Sequence, residues 1–309
     1  MKLLITGSNG LLGQKLVYKL RNKTDLTCIA TARGANRLVS QDGYRYETLD
    51  ITDKKNVVSV FSSELPDVVI NTAAMTNVDA CETEKEACWL MNVTAVENQV
   101  KVLEELKRSH KNYNPHFIHL STDFIFDGTH GPLDEKEIPH PLSYYAESKL
   151  EAEHLVTASS LDWAIARTVL VYGIVDNMSR SNIVLWVKSN LEQGKTINVV
   201  DDQFRTPTLA EDLADGCILI AKKRAKGIYN ISGKDFYSIL ELATVVADHY
   251  GLDMSLIKPS KSADIKQPAK RPAITGFIID KAIKELGYHP HSFIEGIGVL
   301  EDQIKHMGK

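Results

Sequence analysis

The chain has 309 residues, 43% hydrophobic and 25% charged, with a formal net charge of −4. That composition belongs to an ordinary globular protein large enough for a substantial core, in one big domain or two unequal ones. It gives no electrostatic case for nucleic acid or an anionic membrane, and no apolar run approaches the ~20 residues of a membrane span.

The opening KLLIT (2–6) reads as a strand. It runs at once into a glycine loop, where a secretory leader would carry its apolar stretch. In that loop, TGSNGLLG, Gly7, Gly10 and Gly13 stand between the strand and a helical stretch over Leu11–Leu20. Glycines there permit a tight turn and let the backbone approach a pyrophosphate at the helix N-terminus. The spacing is GxxGxxG rather than GxGxxG, and a plain strand–helix turn would need only one of the three.

The second strand, TCIATA (27–32), ends at Arg33, about twenty residues beyond Gly13, where dinucleotide folds offer an acid to the adenosine ribose. A guanidinium suits a 2′-phosphate, which a carboxylate would repel; the plainer reading is an exposed arginine in the loop ARGANR. RYETL (45–49) leads to Asp50 and Ile51, which either meet the adenine or open a DITD cap for a helix over 53–61. DVVINT (67–72), a helix over 89–106, HFIHLS (116–121), a helix over 145–157 and WAIART (163–168) continue the alternation. Apolar strands separated by helices imply a parallel sheet covered on both faces.

After about residue 170 the rhythm changes. Helical patterns at 181–192, 210–223 and 238–250 are separated by short strands INVV and IYNI, and Ser238 and Glu241 have capping-box spacing. KPSKSADIKQPAKRP (258–272) reads as a polar surface run. The expected fold is α/β: a Rossmann-type doubly wound parallel sheet over 1–169, with parts of 200–232, and a smaller, partly interleaved C-terminal substrate lobe over 170–309. Cys28, Cys81, Cys88 and Cys217 form no CxxC and no zinc spacing with histidine, so reduced, buried thiols in a cytoplasmic protein and no bound metal are expected.

SYYAESK (143–149) sets two tyrosines at the start of a helix. Residues four apart share a face, so Tyr145 lies beside Lys149 and Tyr144 beside Ser148. Only the first pair brings an ammonium to a phenol, which would lower the tyrosine pKa.

With NTAAMTNVDACE (71–82), STDFIFDG (121–128), YAESKLEAE (145–153), VYG (171–173), DDQFRTPTLAEDLA (201–214) and RPAITGF (271–277), these motifs resemble the extended short-chain dehydrogenase/reductase family. More narrowly, the chain is similar to dTDP-4-dehydrorhamnose reductases and their relatives, in matching order over nearly its whole length. The resemblance implies an NAD(P)-dependent oxidoreductase that prefers NADPH, with NAD as the other option, reducing the C4 keto group of a nucleoside-diphospho-4-keto-6-deoxyhexose. Tyr145 would be the proton donor, Lys149 its partner and ribose ligand, and Thr122 a hydroxyl donor to the developing oxyanion. Gly7, Asn9, Gly10, Leu11, Leu12, Arg33, Asp50, Ile51, Ala73 and Ala74 would join Tyr145 and Lys149 in holding cofactor. Asp123, Asn182, Gln203 and Arg205 would face the sugar nucleotide, with Arg205 clamping phosphate. Asn92 would anchor a relay water or cap a helix, and Arg167 would be a buried structural partner.

The chain departs from the rhamnose-pathway pattern in LVYG, where Leu170 replaces an aromatic that a deoxysugar could pack against. Two other readings share the motifs: a regulatory NADP-binding subunit like the β subunit of methionine adenosyltransferase, and a sugar-nucleotide epimerase with tightly held NAD. A homodimer is compatible with each.

Overall fold

A computed structural model describes residues 1–178 and 181–307. Strands β1 (Lys2–Thr6), β2 (Thr27–Ala32), β3 (Arg45–Thr48), β4 (Val68–Asn71), β5 (His116–Thr122) and β6 (Asp162–Thr168), with a seventh at Gly227–Asn230, form one sheet. Its order is seventh–β6–β5–β4–β1–β2–β3, and every pairing is parallel. The helices in chain order are α1 (Leu11–Leu20), α2 (Lys54–Glu64), α3 (Val78–Thr83), α4 (Lys85–Trp89), α5 (Ala95–Ser109) and α6 (Tyr144–Thr157). The later ones are α7 (Ile183–Glu192), α8 (Ala210–Lys223), α9 (Ile239–His249) and α10 (Phe293–Met307).

Alternation along the strands divides the core into two layers, because successive side chains point to opposite faces. Leu3, Ile5, Cys28, Ala30, Val68 and Ile70 pack with α1 and α8 on one face. Leu4, Ile29, Val69 and Phe117 pack with α2, α5 and α6 on the other. The expected apolar runs thus become the middle layer of an α/β/α sandwich.

A third core lies beyond the sheet, where Val184, Val187, Leu242, Val246 and Ile297 surround the parallel pair Ile197–Val200 and Ile257–Ser260. The capping box of Ser238 and Glu241 opens α9. After entering this lobe the chain returns to the sheet through α8 and Gly227–Asn230.

Three details differ from expectation. The helix expected over 89–106 is interrupted by a π-helical turn at Leu90–Thr94. That turn buries Asn92, whose amide accepts from Met75 N at 2.8 Å and donates to Met75 O at 3.1 Å and Ser148 Oγ at 3.0 Å. Asn92 therefore does not cap a helix; it ties the loop after β4 to α6. Residues 258–260, expected as surface loop, are paired strand. α10 was hidden by its glycines; a Cβ at Gly296 would sit 1.9 Å from the Tyr172 hydroxyl, so close approach to the lobe core requires the glycine there.

Candidate active site

The C-terminal ends of β1, β2 and β4 meet around the glycine loop. Gly7 has φ +71°, and a Cβ on it would lie 2.8 Å from Ala73 N, so two loops touch where Ala73 and the half-buried Ala74 follow β4. Gly13 packs so closely that a Cβ would meet Gly7 O at 2.3 Å. α1 begins after Gly10 with no side-chain cap and no acid in its first turn. The N–H groups of Leu11 and Leu12 at such a start have no intrahelical acceptor, which is the arrangement that receives a phosphate.

Around this loop the expected ligands divide. Asn9 ties the loop to the segment after β2, donating to Ala35 O and accepting from Arg37 N, both at 2.9 Å. Its side chain thus shapes the loop. Arg33 is exposed and makes no hydrogen bond or ion pair among the described residues. Asp50 accepts from Thr52 N and Oγ1 at 2.9 and 2.6 Å through one oxygen only. Burial opposes its ionisation, but those bonds and the field of Arg33 hold it below the usual carboxylate range. Asp53, not Asp50, caps α2. The Ile51 side chain is buried in the core, so only its backbone can meet a ligand.

Ser143 caps α6, accepting from Ala146 N at 3.4 Å, a contact worth ~1 kcal/mol. That start sets the register of the two tyrosines. Tyr144 faces outward against Trp89, ring centroids 6.0 Å apart. Tyr145 faces inward, 8% exposed, with Cys81, Cys88 and the edge of Phe124. Its phenol is near enough to the Thr122 hydroxyl at the end of β5 for that hydroxyl to oppose the effect of burial on its pKa. Thr122, Tyr145 and Lys149 are all buried there.

The electrostatics depart from expectation. Burial drives the Tyr145 phenol well above its ordinary pKa; the Thr122 bond opposes this, and Asp123, Cys81 and Cys88 reinforce it. Lys149 does not reverse the shift, because its Nζ turns to the strand, donating to Leu120 O at 2.6 Å and facing His119 Nε2 at 3.2 Å. Burial in turn pulls Lys149 down to about 8, against the field of Glu153. Desolvation outweighs the charge pairing that the YxxxK spacing predicts.

The four residues expected to face substrate are engaged within the protein. Arg205 is buried and donates to Phe204 O at 2.7 Å, Ala273 O at 2.9 Å and Pro272 O at 2.7 Å, with Nε 3.5 Å from Asp123 Oδ2. Here it is a strut between Asp123, just after β5, and the 272–273 segment, its guanidinium engaged by the protein where a phosphate clamp is expected. Asp123 accepts from Thr122 Oγ1 at 3.1 Å and from Thr275 Oγ1; burial raises its pKa, opposed first by Arg205. It braces Thr122 and offers no free oxygen to a sugar. Asn182 caps α7, accepting from Leu185 N at 3.2 Å and donating to Gly173 O at 2.6 Å. Gln203 donates to Ser262 Oγ at 2.9 Å. Arg167 is the expected structural partner, held bidentately by Glu153 at 3.0 and 2.6 Å. Leu170 is wedged between the sheet core and the lobe core with φ +38°.

His119, which contacts Lys149, was missed. One histidine in an apolar strand has no spacing signature; its only signal was an inward position two residues from Phe117, on which it stacks with centroids 6.4 Å apart.

Comparison with known proteins fits this geometry. The Haloferax volcanii protein named probable low-salt glycan biosynthesis reductase Agl14 is 30% identical over 299 residues, 96% of each chain. A dTDP-4-dehydrorhamnose reductase of Aggregatibacter actinomycetemcomitans is 31% identical, covering 94% of each. The methionine adenosyltransferase 2 subunit beta of Xenopus laevis is 31% identical, over 83% of this chain and 74% of its own. The crystal structure of a Clostridium acetobutylicum dTDP-4-dehydrorhamnose reductase superposes with TM-score 0.85 at 26% identity, over 99% of this chain and all of that one. A Bacillus anthracis dTDP-4-dehydrorhamnose reductase structure in complex with NADP shares the fold at TM-score 0.81 and 23% identity, over 98% and 99%. The model of the RmlD substrate binding domain matches residues 1–305, and the chain belongs to that family.

Proposed function

We propose that the protein is an NADPH-dependent reductase of the C4 keto group of a nucleoside-diphospho-4-keto-6-deoxyhexose, with dTDP-4-dehydrorhamnose the leading substrate. The observation that carries this reading is the burial of Thr122, at the end of β5, with Tyr145 and Lys149 of α6, on the sheet whose β1 ends in a glycine loop fitted for a pyrophosphate. The reductases among its relatives support it. The cofactor residues also fit: an uncapped helix start, two loops that admit no Cβ, and an unpaired Arg33 for a 2′-phosphate.

The nicotinamide supplies the hydride when bound. Tyr145 donates its phenol proton to the carbonyl oxygen, and the Thr122 hydroxyl, whose one proton now points to Asp123 Oδ1, would turn that proton to the same oxygen as charge develops on it. Burial keeps the phenol protonated, so the proton is in place at neutral pH, while the raised pKa makes the free site a weaker acid than an exposed phenol. Asp123, anchored by Arg205 and Thr275, fixes Thr122. Lys149 would swing from Leu120 O to hold the nicotinamide ribose. Every side chain in this scheme comes from one chain. No described helix is long and apolar enough to cross a membrane, and action on a nucleotide sugar in the cytoplasm is part of the proposal.

The test is NADPH oxidation on adding the keto-sugar nucleotide, with product identified by chromatography. Tight NADPH binding without oxidation by any 4-keto sugar nucleotide would favour the non-catalytic reading, which the similarity to the methionine adenosyltransferase subunit keeps in view. NAD that stays bound through purification would favour an epimerase.

A further inference from the structure

Beneath the candidate site runs a buried chain of polar side chains whose donors and acceptors can be assigned one from the next. Gln99 Nε2 lies 3.0 Å from Ala95 O. A carbonyl only accepts, so the nitrogen end of the amide must face it. The same Nε2 reaches Asn71 Oδ1 at 3.3 Å, where Thr6 Oγ1 also arrives at 2.6 Å. Asn71 therefore turns its Nδ2 to His119 Nδ1, at 3.1 Å. An amide nitrogen only donates, so Nδ1 is an acceptor and a neutral imidazole carries its one proton on Nε2. That Nε2–H faces Lys149 Nζ at 3.2 Å. An ammonium has no lone pair to receive it; a free amine does, and still donates to Leu120 O at 2.6 Å.

We propose that, in mildly alkaline solution, Lys149 passes between free amine and ammonium as cofactor leaves and arrives: the cofactor-free arrangement there holds the amine against the Nε2–H of His119, and binding draws in a proton from solvent. His119 is then a positioning residue that sets the charge of Lys149. Gln99, Asn71, His119 and Lys149 are each at most 3% exposed, so water does not rearrange the chain. Turning the Gln99 amide over would set its oxygen against the Ala95 carbonyl.

No unengaged anion faces Lys149 to hold it charged. Glu153, one turn along α6, is paired with Arg167 of β6. Asp123, after β5, is engaged by Arg205 and Thr275. α3 and α4 bring the Cys81 and Cys88 thiols, and α6 itself the Tyr145 phenol. Burial alone keeps His119 well below the ordinary histidine value, so the imidazole is neutral. The amine lies within reach of mild pH, because burial brings Lys149 down to about 8.

The second half of this inference rests on the cofactor reading; the first does not. In cofactor-free protein at pH 9, 15N spectra of labelled histidine should show His119 protonated on Nε2 and bare on Nδ1; the opposite tautomer would overturn the inference. In lysine labelled with 13C at Cε, one signal should titrate near pH 8, be lost in Lys149→Met, and move up in Asn71→Asp, which presents an acceptor to Nδ1. Lysines that all titrate together above pH 10 would equally overturn it.

Calorimetry of NADPH binding in buffers of different ionisation enthalpy reads the proton directly. Uptake should be about nine-tenths of a proton at pH 9 and about a tenth at pH 7, for an amine that titrates near 8 when free and in its ordinary range when bound. NADPH binding without uptake would sink the coupling while leaving the cofactor reading intact. Absence of NADPH binding would remove both, with the histidine and lysine spectra still deciding the state of the amine.

Discussion

The glycine-loop side of the site and its lobe-facing side are built from the same kinds of polar residue, engaged in opposite ways. On the loop side, among the described residues, Arg33 makes no hydrogen bond or ion pair and acts on Asp50 only through its field, α1 starts without a side-chain cap, and one oxygen of Asp50 accepts no hydrogen bond. On the lobe side, Asp123, Asn182, Gln203 and Arg205 each bond within the chain. Buried polar groups must be satisfied and exposed ones need not be. Unengaged capacity therefore marks the side that awaits a ligand, and engaged capacity marks the frame that holds the reacting hydroxyls in place.

The largest expected effect tests the frame. Arg205→Met strands a buried Asp123 carboxylate and should destabilise the protein by about 3–5 kcal/mol in denaturant unfolding. Adding Asp123→Asn should restore part of that loss. A stable Arg205→Met protein with only a raised KM for sugar nucleotide would return Arg205 to the role of phosphate clamp and break the comparison.

Lys149 stands between the two sides, its amine held by the protein and needed by the cofactor. Its pKa falls from 10.5 unfolded to about 8 folded, a difference of about 3 kcal/mol. The unfolded chain binds more protons between those values, so the penalty is full below about pH 8 and fades as pH climbs toward 10.5. Lys149→Met should therefore be more stable than wild type by about 3 kcal/mol near pH 7, with the gap closing in alkali. A gap that does not vary with pH would mean that Lys149 is not desolvated as described.

Tyr145→Phe keeps the ring and removes the proton. Turnover should fall at least ~100-fold with NADPH affinity nearly unchanged, while the outward Tyr144→Phe should be close to silent. An inactive Tyr144 variant beside an active Tyr145 variant would invert the register of α6. The smallest effect sharpens the loop side: wild type should prefer NADPH over NADH about tenfold, ~1.4 kcal/mol, and Arg33→Asp should reverse the order. Equal use of both cofactors by the wild type would make Arg33 a bystander.

Sequence reading reached the six strands from Lys2 to Thr168 within a residue or two, because all but the exposed edge strand β3 are apolar or β-branched runs bounded by turn residues. It reached Tyr145 over Tyr144 because only Tyr145 lies four residues before Lys149, the YxxxK spacing of the family it resembles. It missed the π-helical turn that buries Asn92, since an inserted residue leaves the apolar pattern on either side unchanged. α10 escaped because two glycines dilute its helical signal, and the reason for one of them, Gly296, lies in Tyr172 of another segment. The lobe-side residues have partners such as Thr275 for Asp123 and Pro272 for Arg205, which are adjacent only once the chain has folded.

What the sequence by itself determined was periodic and local: strands, helices, the glycine turn, and the face on which the tyrosine and lysine lie. What only the tertiary structure decided was the state of those groups. Whether Arg205 is free or bound, whether burial or Lys149 governs the Tyr145 phenol, and which nitrogen of His119 meets the amine all depend on neighbours far along the chain. Desolvation and hydrogen-bond direction are properties of a packed environment, and no spacing of residues records them.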